Sequence, residues 1–215
     1  MIIALRQVSL VFVSIAIIAE LLSCGKKISR IEIGGVADGE KSNRVIVSDS
    51  FNRANNFTSM GRADTGQLWI NGDTAVYGVN NSSAFLNSGS GTAYVTIAET
   101  DLIAIQITTS SITGSVALEF RQADSDNLWR FFRLGTSVRL DKITGGASTI
   151  VATGAINLIN GNKLRVELRG CNIQAFVSVK LFDITDCTHG GGNSYGFRDL
   201  VGGSDFDDFL IEEIE

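Results

Sequence analysis

Residues 164–181 read LRVELRGCNIQAFVSVKL, and two interleaved rhythms run through them. Leu164, Val166 and Leu168 alternate with Arg165, Glu167 and Arg169. Ile173, Ala175, Val177, Val179 and Leu181 alternate with Gln174, Phe176, Ser178 and Lys180. A repeat of two places successive side chains on opposite faces of an extended chain, one face dry and one wet. Gly170-Cys171-Asn172 between the runs is short enough for a hairpin connection. Working outward, the same rhythm returns. Val116, Leu118 and Phe120 alternate with Ala117, Glu119 and Arg121; Val138 and Leu140 flank Arg139; Ile103, Ile105 and Ile107 form another inward set. Turn residues separate the runs at Asn80-Asn81, Asp124 to Asn127, Gly145-Gly146, Asn160 to Asn162 and Gly190 to Gly192. No sustained helical period appears past residue 24. Short strands at this spacing predict an all-β, two-sheet antiparallel β-sandwich.

The bulk numbers agree with one such domain. The chain has 215 residues, 44% apolar, with 23 glycines and no proline, so turns fall to Gly, Asn, Asp and Ser. Net charge is −5 and no Lys/Arg block exists, which argues against a nucleic-acid partner.

The N-terminus has a different character. Arg6 precedes an apolar run from Val8 to Ala19, too short for a comfortable membrane span and suited to the hydrophobic region of a signal peptide or anchor helix. Leu21-Leu22-Ser23-Cys24 then resembles the lipobox of bacterial lipoproteins, in which the cysteine becomes the lipidated first residue; that role falls here on Cys24. An ordinary signal peptide or an uncleaved anchor, with Cys24 incidental, is the other reading. Residues 1–24 are therefore expected to export the chain to the bacterial surface or periplasm and to tie it to a membrane. Residues 25–43 are expected to form a polar tether, and residues 44–215 the sandwich. Cys171 and Cys187 remain as a pair. An oxidising compartment permits a bridge, and two small buried thiols are the alternative.

Several phrases, in order, resemble one fold family. Asp49 to Ala54 opens the domain; Gly61 and Asp64 to Trp69 follow. Leu118 to Arg121, the hairpin Asp124 to Leu134, Tyr195 to Arg198 and Asp205 to Phe209 complete the series. Together they resemble concanavalin A-like lectin/glucanase jelly rolls of bacterial surface proteins and phage fibres. The resemblance covers residues 46–213. It implies pairing of the first and last strands, with Phe51, Phe206 and Phe209 closing the core. It implies three function classes: a non-catalytic carbohydrate-binding surface protein, a structural or receptor-binding part of a phage particle, and a glycoside hydrolase.

Site residues follow from these classes. A hydrolase of this fold needs paired carboxylates. The Glu-x-Asp-x-x-Glu phrase is absent, Glu99-Thr100-Asp101 has turn spacing, and Glu119 and Glu167 have arginines close by that suit cross-strand pairing. His189, the only histidine, lies in a Gly-rich loop and is too little for a zinc site. Paired terminal strands would bring Asp49, Asp207 and Asp208 together, either as ligands of a structural Ca²⁺ or as solvated edge charge. No other cofactor is expected. Saccharide binding needs an aromatic platform with planar polar partners. Trp129, Phe131, Arg121, Arg133, Trp69 and Tyr77 are the candidates. Strand 127–134 is bulky at both parities, with Trp129 and Phe131 on one face and Leu128 and Phe132 on the other. One face is core and the other an expected aromatic surface; core packing competes with ligand contact at each of these aromatics.

Overall fold

The computed structural model describes residues 43–98 and 101–215. The export segment with Cys24, the tether up to residue 42, and Glu99 lie outside the described residues.

Among the described residues there are fifteen strands and no helix. They are β1 (Val45–Asp49), β2 (Ile70–Asn71), β3 (Val76–Asn80), β4 (Ser83–Ser88) and β5 (Ala93–Thr96). Longer strands follow: β6 (Leu102–Ser111), β7 (Val116–Asp124), β8 (Asn127–Leu134), β9 (Ser137–Thr144) and β10 (Ala147–Ala155). The last five are β11 (Lys163–Arg169), β12 (Asn172–Val177), β13 (Val179–Thr185), β14 (Ser194–Asp199) and β15 (Asp205–Glu213). One sheet has the order β13-β12-β11-β6-β15-β4-β3, with β1 also paired to β15; the other has β10-β9-β8-β7-β14-β5-β2. Every pairing is antiparallel. The architecture is the all-β sandwich that the alternating runs predict.

The core lies between the two inner faces. Ile103, Ile105, Ile107, Leu164, Val166, Leu168, Ile173 and Ala175 enter from the eight-stranded sheet. Leu118, Phe120, Trp129, Phe131, Val138 and Leu140 enter from the seven-stranded sheet. Strands β1 and β15 pair, with Val47 opposite Ile211 and Asp49 opposite Phe209. This closes one end of the core with an aromatic cluster. Phe197 lies at its centre, 4.5 Å from Phe206, 5.3 Å from Trp69, 5.5 Å from Tyr77 and 6.0 Å from Phe51 between ring centroids.

The alternation across 173–181 has a different origin from the one its rhythm suggests. It is not one strand. The chain reverses at Ser178, whose φ of 60° is left-handed, so Val177 pairs with Val179 and β13 runs back along β12. Val177 is buried and Val179 is 61% exposed. A two-residue period survives a tight reversal in sequence but not in space.

Candidate functional site

The aromatic and arginine candidates hold the sandwich together and offer no platform. Trp129 is fully buried, its ring stacks on Phe120, and its Nε1 donates to the Thr188 carbonyl at 2.9 Å. Phe131 packs edge-on against Phe182 in the core. Trp69 Nε1 donates to Asp49 at 2.6 Å. Tyr77 is buried, donates to the Gly91 carbonyl and accepts the Asp199 amide at 2.8 Å; burial raises its pKa. Arg121 is buried, donates to the carbonyls of Asp186 and Gly170, and burial lowers its pKa. Arg133 is half-buried and donates to the Gly114 and Gly135 carbonyls. The expected aromatic surface on the other face of β8 is also absent. Leu128 is buried, and Phe132 is buried under the Arg139 guanidinium, 5.2 Å from its ring. The reason is general: a pleat tells which residues share a face, while neighbouring strands decide whether that face is covered.

The acidic trio does not fit a calcium ion. Asp49 is buried, and its carboxylate already accepts the Phe51 amide, the Trp69 indole N–H and the Arg53 guanidinium. Asp207 accepts the Asp208 amide. Burial raises its pKa, and the charges of Asp208 and Asp49 push the same way. Among the described residues no group of His, Cys, Asp and Glu side chains is placed to hold a metal ion. Cys171 and Cys187 are joined in a disulfide with Cα atoms 4.4 Å apart. The loop after β13 is pinned further. Lys142 reaches Asp186 at 2.7 Å, and His189 Nε2 lies 2.8 Å from the Ile143 carbonyl. Burial opposes the Asp186 charge, but hydrogen bonds from Lys142 and Thr188 outweigh it and hold its pKa at about 2.

The outer face of the seven-stranded sheet carries an arrangement of another kind. In register across all seven strands run Ile70, Tyr94, Gly196, Glu119, Arg130, Asp141 and Ile150. Cross-strand neighbours on one face interact directly, and the charges at the centre of this row alternate in sign. Arg130 meets Glu119 at 2.6 Å, and the Thr92 hydroxyl also donates to Glu119, which is 0% exposed. Arg139 and Ser148 both donate to Asp141, at 2.6 and 2.8 Å. On the opposite sheet Glu167 is paired with Arg165 and Arg169. These three carboxylates are therefore engaged, and none of them is a free acid or base for glycoside hydrolysis. The partner of Glu119 is Arg130 across the strand, not the sequence-near Arg121, because Arg121 has a left-handed φ of 50° and turns away to the Gly170 carbonyl.

Beside this row lies a cavity of about 340 Å³ between β2, β5, β7 and β14, lined by Asp73, Thr92, Tyr94, Gln122, Asp124 and Ser194 among others. Tyr94 is half-buried on the outer face of β5, because its neighbours Ala93 and Val95 take the core side. Gly72 sits against its ring: a side chain there would begin 3.3 Å from Tyr94 Cε1. Gly196 lies between Tyr94 and Glu119 in register, where a side chain would strike the Ala93 carbonyl and Tyr94 Cα. Gln122 is only 6% exposed, and its buried Oε1 has no hydrogen-bond partner. The buried Nε of Arg198, one register row from Gly196 on the same face, also lacks a partner. Buried polar groups left unpaired are costly and rare, and each calls for a partner from solvent or ligand. The Asp124 carboxylate is held ionised below its usual range by the Asp126 amide and Asn127. The sequence reading passes over Tyr94 and Gln122. A tyrosine on the polar parity between two core residues was the available signal for Tyr94; Gln122 carries none.

The arrangement of sheets has counterparts among solved structures. Carbohydrate binding module CBM66 from Bacillus subtilis superposes with a TM-score of 0.57 at 14% identity, over 67% of this chain and 95% of that one. A protein of unknown function with galectin-like fold, also from Bacillus subtilis, matches at 0.53 and 11% identity, over 80% and 98%. The fold is a lectin-type β-sandwich. The VIP36 exoplasmic/lumenal domain in its Ca²⁺/Man-bound form reaches 0.50 at 11% identity, over 70% of the sandwich chain and 85% of its own. No protein-family model matches the sequence. No curated protein matches it either. At these identities the likeness defines the lectin-type sandwich and assigns no residue a role.

Proposed function

We propose that this domain is a non-catalytic carbohydrate-binding module that takes a saccharide on the outer face of the seven-stranded sheet, with Tyr94 as platform. The observation that carries this reading is the half-buried Tyr94 ring sharing one cavity with the polar residues Gln122, Thr92 and Ser194. A pyranose or furanose presents an apolar C–H face to an aromatic ring and hydroxyls that both donate and accept. Thr92, Ser194, Asp73 and Asp124 supply polar partners. Two carboxylates and no cation line the cavity, which favours a neutral sugar over an acidic one. The likeness to the carbohydrate binding module CBM66 and to the Man-bound form of VIP36 supports a saccharide as the ligand class.

Titrating the protein with neutral oligosaccharides chosen from a glycan array tests this. Tyr94→Ala is expected to weaken binding by about tenfold or more, the size of one lost ring contact plus the loosened polar partners. The melting temperature is expected to change little, because the ring sits on an outer face. Wild-type affinity in Tyr94→Ala sinks the proposal.

The same reading takes residues 1–24 as an export segment, with Cys24 as the lipid-bearing residue that holds the module at a bacterial membrane. Labelled fatty acid should enter the wild-type chain and not Cys24→Ala; label in the variant refutes the assignment.

A further inference from the structure

The opposite face of the sandwich carries a depression whose lining differs in chemistry. On the outer face of the eight-stranded sheet a depression of about 290 Å³ is lined by Gln106, Asn162, Lys163, Arg165, Phe176 and Ser178. These positions share one face by register: Arg165 pairs with both Phe176 and Gln106, and Lys163 pairs with Thr108. The intervening Leu164 and Val166 point into the core. Phe176 is therefore a half-buried aromatic on the polar side of β12, at the mouth of a polar depression.

The charges here differ from those around Tyr94. Two cations line the depression and no carboxylate does. Arg165 is already neutralised, donating to Glu167 at 3.1 Å and to Glu212 at 2.9 Å. Lys163 has no ion pair among the described residues and is exposed, so its charge is available to a ligand. Thr108, its register partner on the same face, keeps a buried Oγ1 without a hydrogen-bond partner. A neighbouring depression of about 320 Å³ shares Gln106 and Lys163 but is bordered by Asp49, Asp64 and Asp208. Those carboxylates repel an anion from that side and confine it to the Phe176 end.

We infer that this depression is a second saccharide site, selective for a carboxylated sugar residue such as a uronic acid. Phe176 offers the apolar platform, Lys163 the counter-charge for the carboxylate, and Gln106, Asn162 and Ser178 the hydroxyl partners. The inference rests on the saccharide reading of the domain but on none of the residues around Tyr94. Two sites of unlike chemistry on opposite faces let one domain bridge two chains of a mixed polysaccharide, and such bivalency raises avidity without new contacts at either site.

Amide spectra of the nitrogen-15-labelled full-length chain, titrated in parallel with sodium glucuronate, glucose and sodium acetate, decide it. Glucuronate is expected to shift amides at 161–163 and 176–178, with glucose and acetate leaving them in place. Lys163→Gln is expected to weaken glucuronate about fivefold, the size of one partly exposed ion pair. Phe176→Ala should remove the response altogether. Lys163 is exposed and its substitution leaves the core untouched, so the test survives if Phe176→Ala fails to fold. Equal shifts with acetate mark a plain anion patch and overturn the proposal, as does an unchanged response in Lys163→Gln. Failure here leaves the amides around Tyr94, and the reading of that site, unaffected.

Discussion

Replacing Trp129 by alanine is expected to destabilise the domain by about 3–5 kcal/mol, the range for truncating a large buried aromatic. The indole is fully buried between the sheets and stacked on Phe120. Its removal leaves a void that the flanking strands cannot close, since β8 is fixed by β7 on one side and β9 on the other. It also orphans the Thr188 carbonyl, which accepts the indole N–H, and removes the ring 5.6 Å from the Lys142 ammonium. The loss should appear in urea denaturation as a lower midpoint with an unchanged slope. Saccharide binding by the folded fraction is expected to persist, because Trp129 lies on the core side of its sheet. A loss below about 1 kcal/mol, the level of a surface substitution, would remove Trp129 from the core.

Glu119→Ala is expected to cost about as much, 3–5 kcal/mol, by a different route: it strands the Arg130 guanidinium on a covered face without its counter-ion. The bonds at stake are the ion pair to Arg130 at 2.6 Å and the hydroxyl of Thr92, both converging on a carboxylate with no exposed surface. Arg130 also faces Asp141 across the next strand, but Asp141 is occupied by Arg139 and Ser148. The double variant Glu119→Ala with Arg130→Met is the sharper measurement. Removing both charges should restore much of the stability, because the penalty belongs to the unpaired partner and not to the absent bond. Additive losses in the double variant would show that Glu119 contributes through packing alone.

The fold was legible because strand faces are written locally. Leu164, Val166 and Leu168, or Ile103, Ile105 and Ile107, declare an inward side without reference to any other strand, and the core takes them as declared. The pairing of β1 with β15 followed from the resemblance, and its residues Phe51, Phe206 and Phe209 are buried. The site was not legible in the same way. Trp129 and Phe132 lie on opposite faces of one strand, and both are covered, one by the second sheet and one by Arg139. Nothing local distinguishes a covered outer face from an open one. Tyr94 has glycines for neighbours at 72 and 196, both close against β5, and those glycines are distant from it in sequence. Asp49 shows the same limit in reverse: the expected pairing of the terminal strands, which brings Asp207 and Asp208 towards it, suggested a metal ligand, while Trp69, twenty positions on, takes its second oxygen.

The position of β15 sets a condition on how the molecule comes into being. This strand, the last of the fifteen described, is not an edge; it pairs with β1, β4 and β6 in the interior of its sheet. Without residues 205–213 the eight-stranded sheet falls into three parts that no strand pairing joins: β13-β12-β11-β6, β4-β3, and β1 by itself. Closure of this sheet therefore waits on the docking of one strand that joins all three parts, and such long-range pairing is slow compared with the formation of local hairpins.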